Sequence, residues 1–299
     1  MSSFARRFVL PVIVAAGLVI PASSAGAGTL DPVINLLPPM TVPYHPSRAT
    51  ACIDGNPGCI DTTIHEMQRR YDALAATCDH DAVFALAYLR VTQEVRRSLD
   101  AGLFRDQVWL RNQDAAFAQD YFTSLDNWNA GRKNLVPTAW RIALQAADDG
   151  SVTGLGNFML AMNAHINRDF SYVLDGAGLT ARDGTSHKPD HNAFNPRLDS
   201  LYQPVFAEEA VELDPTFDDL NFGPLDDEGV GAIMRGWREI VWRNAEALSL
   251  AKSPLTVALA KSRIETYATT QAVLYKTIFA TSPKQNAKRD AYCHARQGS

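Results

Sequence analysis

From Thr63 onward, apolar residues recur at alternating spacings of three and four, and no stretch alternates apolar with polar residues under β-branched enrichment. A chain patterned this way can bury its apolar surface only by packing helices on helices. Thr63 and Glu66 form a capping-box pair, and Ile64, Met67, Tyr71, Leu74 and Cys78 then mark one amphipathic helix. A second is predicted over about 81–101, with Phe84, Tyr88, Val91, Val95 and Leu99 on one face and Gly102 just past its end. A third covers about 106–125. Pro137 opens a fourth that Gly150 terminates. Further helices are predicted over about 155–174, 195–211, 227–251 and 254–280, the last with Ser253 as N-cap and Pro254 in its first turn. The expectation is an all-α, single-domain bundle of about seven or eight helices spanning 61–299. It is preceded by a Pro-rich extended arm, 28–60, that has no period.

Residues 1–27 read as a secretory signal peptide. Arg6 and Arg7 supply the positive start, 8–21 is an apolar run too short for a comfortable span, and Ala25-Gly26-Ala27 offers a small-residue cleavage site. No later segment offers about 18 uninterrupted apolar residues, so no stable membrane insertion is expected after cleavage and the product is expected to be secreted. Without Arg6 and Arg7, 26 basic residues face 33 acidic ones, a net charge of −7 with His neutral. Such a chain is a poor binder of phosphate backbones, and nucleic acid is not an expected partner.

Export makes disulfides the default for the four cysteines, Cys52, Cys59, Cys78 and Cys293. Three pairings are open. The turn-rich segment between Cys52 and Cys59 favours joining those two, which leaves Cys78 to tie an early helix to the C-terminal tail through Cys293. No CxxC pair is present, which argues against thiolate zinc binding and thioredoxin-like redox chemistry.

The densest polar constellation is Asn163-Ala-His-Ile-Asn-Arg-Asp169, set in an apolar helical segment. Leu155, Met159, Met162, Ile166 and Phe170 form its apolar stripe. His165 and Asp169, at i and i+4, border one edge, and Asn163 and Asn167 border the other. One polar pair is expected to line a cavity and the other to tie the helix to its neighbours. For His165 and Asp169 the chemical readings are ligation of a divalent ion such as zinc, or a His general base oriented by a carboxylate. The alternative is a buried hydrogen-bonded pair that fixes helix packing. A metal needs three or four ligands, and Asp190 and His191 rank first to complete the shell. They lie in the long segment 176–196, which leaves the motif helix and can fold back over it. Asp114, at the apolar edge of the third helix, is a further candidate. The acidic run 198–234, without Lys or Arg, is expected to form a solvated surface.

There is no Gly-x-Ser-x-Gly elbow, no His-Glu-x-x-His, no phosphate-binding glycine loop and no dinucleotide fingerprint. The open readings are a metal-assisted hydrolase acting on an ester, a phosphoester or another small molecule, metal-free acid–base chemistry, and a non-catalytic exported binding or structural protein.

The segments Phe84-Ala-Leu-Ala-Tyr-Leu-Arg-Val-Thr92, Phe117-Ala-Gln-Asp-Tyr-Phe122, Asn163-Ala-His-Ile-Asn-Arg-Asp169, Asp190 with Asn195, and 237–248 occur in an order that resembles an uncharacterised bacterial family, a domain of unknown function. The resemblance covers most of the chain after about Thr62 and implies a domain boundary and a site location, but no reaction. A weaker similarity is to exported all-helical zinc phospholipases C and nucleases, which place His-x3-Asp pairs on buried helices. The chain departs from them in that cleavage after Ala27 would expose Gly28 rather than the metal-binding N-terminal Trp, and their further His ligands have no recognisable counterparts.

Overall fold

The computed structural model describes residues 37–49, 51–52, 55–217 and 227–297, with backbone only for 227–230. The expected signal peptide and the first part of the arm lie outside the described residues. The helices are α1 (Gly58–Ala76), α2 (Ala82–Asp100), α3 (Gln107–Asn129), α4 (Thr138–Asp148), α5 (Gly154–Asn163), α6 (Ser171–Ala177), α7 (Lys188–Ala193), α8 (Asn195–Asp199), α9 (Tyr202–Glu212), α10 (Asp227–Leu250), α11 (Pro254–Ile278) and α12 (Pro283–Gln297). Among the described residues there is no β-strand, only isolated bridges joining Val152 to Ala280 and Thr180 to Ser186. The all-α expectation is met.

The organising element is α5 and α6 taken together, joined without a break by a π-helical stretch, Ala164–Phe170. Its first half, Leu155-Gly-Asn-Phe-Met-Leu-Ala-Met162, is apolar around most of its circumference, the pattern of a helix enclosed by others. Every residue from Gly154 to Asn167 is buried, with α2, α3, α4, α10 and α11 packed around the segment. Close approach at the start of α5 depends on Gly156, where an added Cβ would lie 2.6 Å from Phe279 Cβ and 2.8 Å from Val152 Cβ.

Helix ends follow local chemistry. Gly102 and Gly150 take positive φ just past α2 and α4 and close them with backbone bonds, as expected. Ser253 caps α11 by accepting from Thr256 N, with Pro254 opening the helix. At the end of α1 the left-handed position falls to Cys78 (φ 55°), which is disulfide-bonded to Cys293 on α12. Cys52 pairs with Cys59. Both bridges are those anticipated.

Three expectations need correction, and one helix is not located from the sequence. The helix predicted from Thr63 begins at Gly58, beside the Cys52–Cys59 bridge, and Thr63 Oγ1 donates to the Cys59 carbonyl (3.1 Å) instead of capping. The predicted helix 195–211 breaks between α8 and α9, because the Pro204 ring would clash with the carbonyl of Ser200 four residues back. The C-terminal tail is a helix, α12. Few of its residues are apolar, so no periodicity announces it, and it docks through Arg289 to Asn157 Oδ1 (2.8 Å) and through Asn286 to the Gly150 carbonyl. The acidic run is not simply solvated. Glu209 and Asp214 are buried, Arg289 lies 3.6 Å from Asp214, and Glu208 and Glu212 pair with Arg90 and Arg296. These cations come from α2 and α12, far away in sequence. The described part of the arm runs without helix or strand over the fold. Leu37 and Pro38 carbonyls accept from Arg243, Met40 N donates to Glu246, and Thr180 Oγ1 donates to the Val42 carbonyl. No helix among the described residues is long and apolar enough to cross a membrane.

Two glycine substitutions separate packing from propensity. Gly156→Ala should destabilise the fold by about 1–3 kcal/mol through overpacking against Val152 and Phe279. Gly176→Ala, in α6 with nothing within 4 Å of the added methyl, should stabilise it by about 0.5–1 kcal/mol. Urea unfolding midpoints check both, and equal effects would contradict the close approach at Gly156.

Candidate functional site

Why the motif divides its polar groups between two faces is visible in their partners. Asn163 Nδ2 donates to the Ala268 carbonyl on α11 (2.9 Å), and Asn167 Nδ2 donates to Asn163 Oδ1 (2.9 Å). The asparagines thus tie the motif to a neighbouring backbone. Asp169, with no solvent exposure, accepts from Trp140 Nε1 of α4 (2.6 Å) and from Arg168 Nη1 (2.5 Å), and Arg168 continues to Glu265 of α11 (3.0 Å). A buried carboxylate is tolerable only with such partners.

His165 differs from its neighbours. Its ring stacks on Phe117 (3.5 Å between centroids, 6° between planes) and meets Tyr88 at 4.4 Å and Phe84 at 5.5 Å. Nδ1 lies 3.5 Å from Asp169 Oδ2, an electrostatic contact too long for a good hydrogen bond, and neither ring nitrogen has a hydrogen-bond partner in the protein. Burial pushes its pKa below the ordinary imidazole value against a smaller upward pull from Asp169. The ring is therefore neutral at physiological pH.

His165 lines a cavity of about 70 Å³ whose walls are mostly apolar: Phe117, Ile166, Phe170, Phe194 and Leu198, with polar side chains of Tyr88, Asp114, Asp190, His191 and Arg238 among them. Asp114 reaches this pocket from α3, and Asp190 and His191 reach it because 178–187 turns back tightly (His187 N to Leu179 carbonyl, 3.0 Å) and lays α7 against the motif, His191 beside Phe170. They do not form a shared coordination shell. Asp190 accepts from the backbone of Arg105 (3.0 Å) and Asp106 (2.8 Å) ahead of α3. His191 Nε2 donates to the Arg238 carbonyl (3.1 Å), and burial with the nearby Arg238 charge pushes its pKa well down. Asp169 lies behind His165, outside the pocket wall. Among the described residues no group of three or more His, Cys, Asp or Glu side chains is placed to hold a metal ion. The donor set expected for zinc therefore does not fit one, and no reaction step is routed through a metal. His187 stacks on Trp109 (4.5 Å, 6°) instead of entering the pocket, and His65 is exposed.

Asp114 has one carboxylate oxygen buried without a partner, and burial raises its pKa to about 7. Tyr88 presents a buried hydroxyl without a protein partner. The sequence places Tyr88 only on the apolar face of its helix, and neither it nor Arg238 is an expected site residue. A signal for Arg238 exists, since Met234, Arg238, Val241, Ala245 and Leu248 follow the 4-3-4-3 spacing of a core stripe and put a cation at an apolar position.

Because the folded protein holds a proton on Asp114 up to about 7 whereas the unfolded chain releases it near 4, this group makes stability fall as pH rises through that window. Asp114→Asn should match wild type near pH 4 and gain on it by on the order of 1–4 kcal/mol by pH 8. Urea unfolding at both pH values checks this, and a variant losing ground with rising pH would contradict it.

No curated protein and no solved structure matches the chain. The sequence model of a family described as a family of unknown function, DUF5995, matches residues 60–278, which take in α2 to α11 and every pocket-lining side chain, and the chain belongs to that family.

Proposed function

We propose that this is a secreted protein that binds a small, largely apolar organic molecule in the pocket beside His165. The observation that carries the reading is the concentration, on side chains lining one apolar pocket, of buried polar atoms without hydrogen-bond partners among the described residues: the Tyr88 hydroxyl, Asp114 Oδ2, His165 Nε2 and His191 Nδ1. Each such atom costs about 1–3 kcal/mol when left unbonded, so a fold that gathers four of them benefits from a ligand that bonds them. Secretion is supported by the two disulfides and by the signal-like residues 1–27. The exported product should begin at Gly28, and its intact mass checks this; retention of 1–27 would overturn it.

Metal-free acid–base chemistry is a second reading, favoured by one contact, Asp169 Oδ2 at 3.5 Å from His165 Nδ1. A neutral His165 backed by that carboxylate can accept a proton from water attacking an ester held in the pocket.

One experiment separates the readings. Dialysed full-length protein is screened by thermal shift against small alcohols, amides, acids and esters, beside an Ile166→Trp variant whose indole fills the pocket. At least one compound should stabilise wild type by RT ln(1 + [L]/Kd), about 2.7 kcal/mol at a hundredfold excess over Kd, and leave the variant unmoved. No stabilisation by any compound would sink the binding reading. Ester hydrolysis by wild type that disappears in His165→Gln would replace binding with catalysis.

A further inference from the structure

Buried cations elsewhere in this protein have carboxylate partners. Lys188 meets Glu239 at 2.9 Å, Arg289 meets Asp214 at 3.6 Å, and Arg235 pairs with Asp199. Arg238 is different. It is 8 % exposed, and no carboxylate among the described residues forms an ion pair with it; the carboxylate influence on it is Asp199, already paired with Arg235, whose charge acts on Arg238 only at longer range. Its Nε donates to Asn195 Oδ1 (2.6 Å) and its Nη2 to the His191 carbonyl, both neutral oxygens, while its guanidinium stands 5.6 Å from the centre of the Phe170 ring. Burial lowers its pKa only to about 10, so it remains a cation at neutral pH. A buried charge without a counter-ion is among the costliest features a fold can carry.

The other ionisable groups in the pocket wall do not supply that counter-ion. Asp190 is engaged by the backbone of Arg105 and Asp106, and Asp114 is held partly protonated at neutral pH. His165 and His191 are neutral. Arg238 is thus the cationic end of a pocket with apolar walls of Ile166 and Phe170.

We propose that the pocket takes a small organic monoanion, a carboxylic acid with a short hydrocarbon tail of two or three carbons, whose carboxylate pairs with Arg238 while the hydrocarbon lies against Ile166 and Phe170. The proposal rests on the reading that the pocket binds a small molecule, and it names the ligand's class. Size supports a short chain: about 70 Å³ is roughly half the ~150 Å³ apolar cavity that accommodates benzene. Guanidinium is suited to this role because its planar donors match a carboxylate.

The test is a calorimetric titration of the full chain with propionate and with propionamide, which share shape and differ in charge. Wild type should bind the acid at least tenfold more tightly than the amide, and Arg238→Met should bring the ratio to about one. The methionine conserves much of the volume and removes the buried charge, so the variant is expected to fold. Should it not, Arg238→Lys serves, with an acid preference that is reduced but retained. Equal affinities in wild type, or an acid preference surviving in folded Arg238→Met, would overturn the proposal while leaving small-molecule binding in place. Failure of both compounds to bind, when other members of the wider panel do bind, also overturns it. Failure of every compound in that panel is the distinct result that removes the binding reading itself.

Discussion

The carboxylate of Asp169 has no contact with water, and much of the fold can be understood as the means of keeping it there. An ionised carboxylate in an apolar interior is tolerated only when strong donors surround it. Trp140 Nε1 and Arg168 Nη1 supply them, and Arg168 is in turn held by Glu265, which also accepts from the Tyr172 hydroxyl. One charge therefore joins α4, the central helix and α11. The Asn163–Ala268 bond pins the opposite face of the same segment to α11. With the helix fixed on two sides by polar bonds, His165, one turn before Asp169 on the same edge, is held where it faces the cavity.

Much of this was legible beforehand, for physical reasons. Helix positions follow from 3.6-residue periodicity, which a helical core imposes wherever one face stays wet, as in α1 and α11. Both disulfides were readable because turn chemistry around Cys52 and Cys59 left a single pairing for the others. The split of the motif into two polar edges was readable from angles alone. Illegible were features that depend on distant partners. Nothing near Glu209 or Asp214 announces that Arg289, far along the chain on α12, will share their interior. The π-helical turn through Ala164–Phe170 leaves no periodic trace either, although such turns recur where a helix must re-aim side chains at a site.

The candidate ligand set shows why residue types alone do not make a metal centre. Of the expected ligands, His165, Asp190 and His191 border one pocket, joined there by Asp114, whereas Asp169 lies outside its wall. Coordination also requires free lone pairs pointing at one position. Asp190 has both oxygens on backbone N–H groups, and His191 has Nε2 committed to a carbonyl. Shared neighbourhood and shared direction are separate conditions, and only the first can be anticipated from spacing.

What remains in the pocket is an electrostatic gradient. Asp169 would ordinarily raise the basicity of His165, but its charge is already shared with Arg168 and Trp140, and its oxygen stands too far for a full hydrogen bond. Burial therefore dominates, and the His165 end stays neutral. Arg238, whose hydrogen-bond partners among the described residues are neutral oxygens, makes the other end cationic. A guest with one charged and one apolar end has a single favourable orientation in such a space. It would place its hydrocarbon beside the Phe117 and His165 stack, where the unbonded ring nitrogens of His165 can still meet a hydroxyl or carbonyl group. Orientation of the guest is thus set by the failure of two pairings, a carboxylate that Arg238 does not have and a hydrogen bond that Asp169 does not complete.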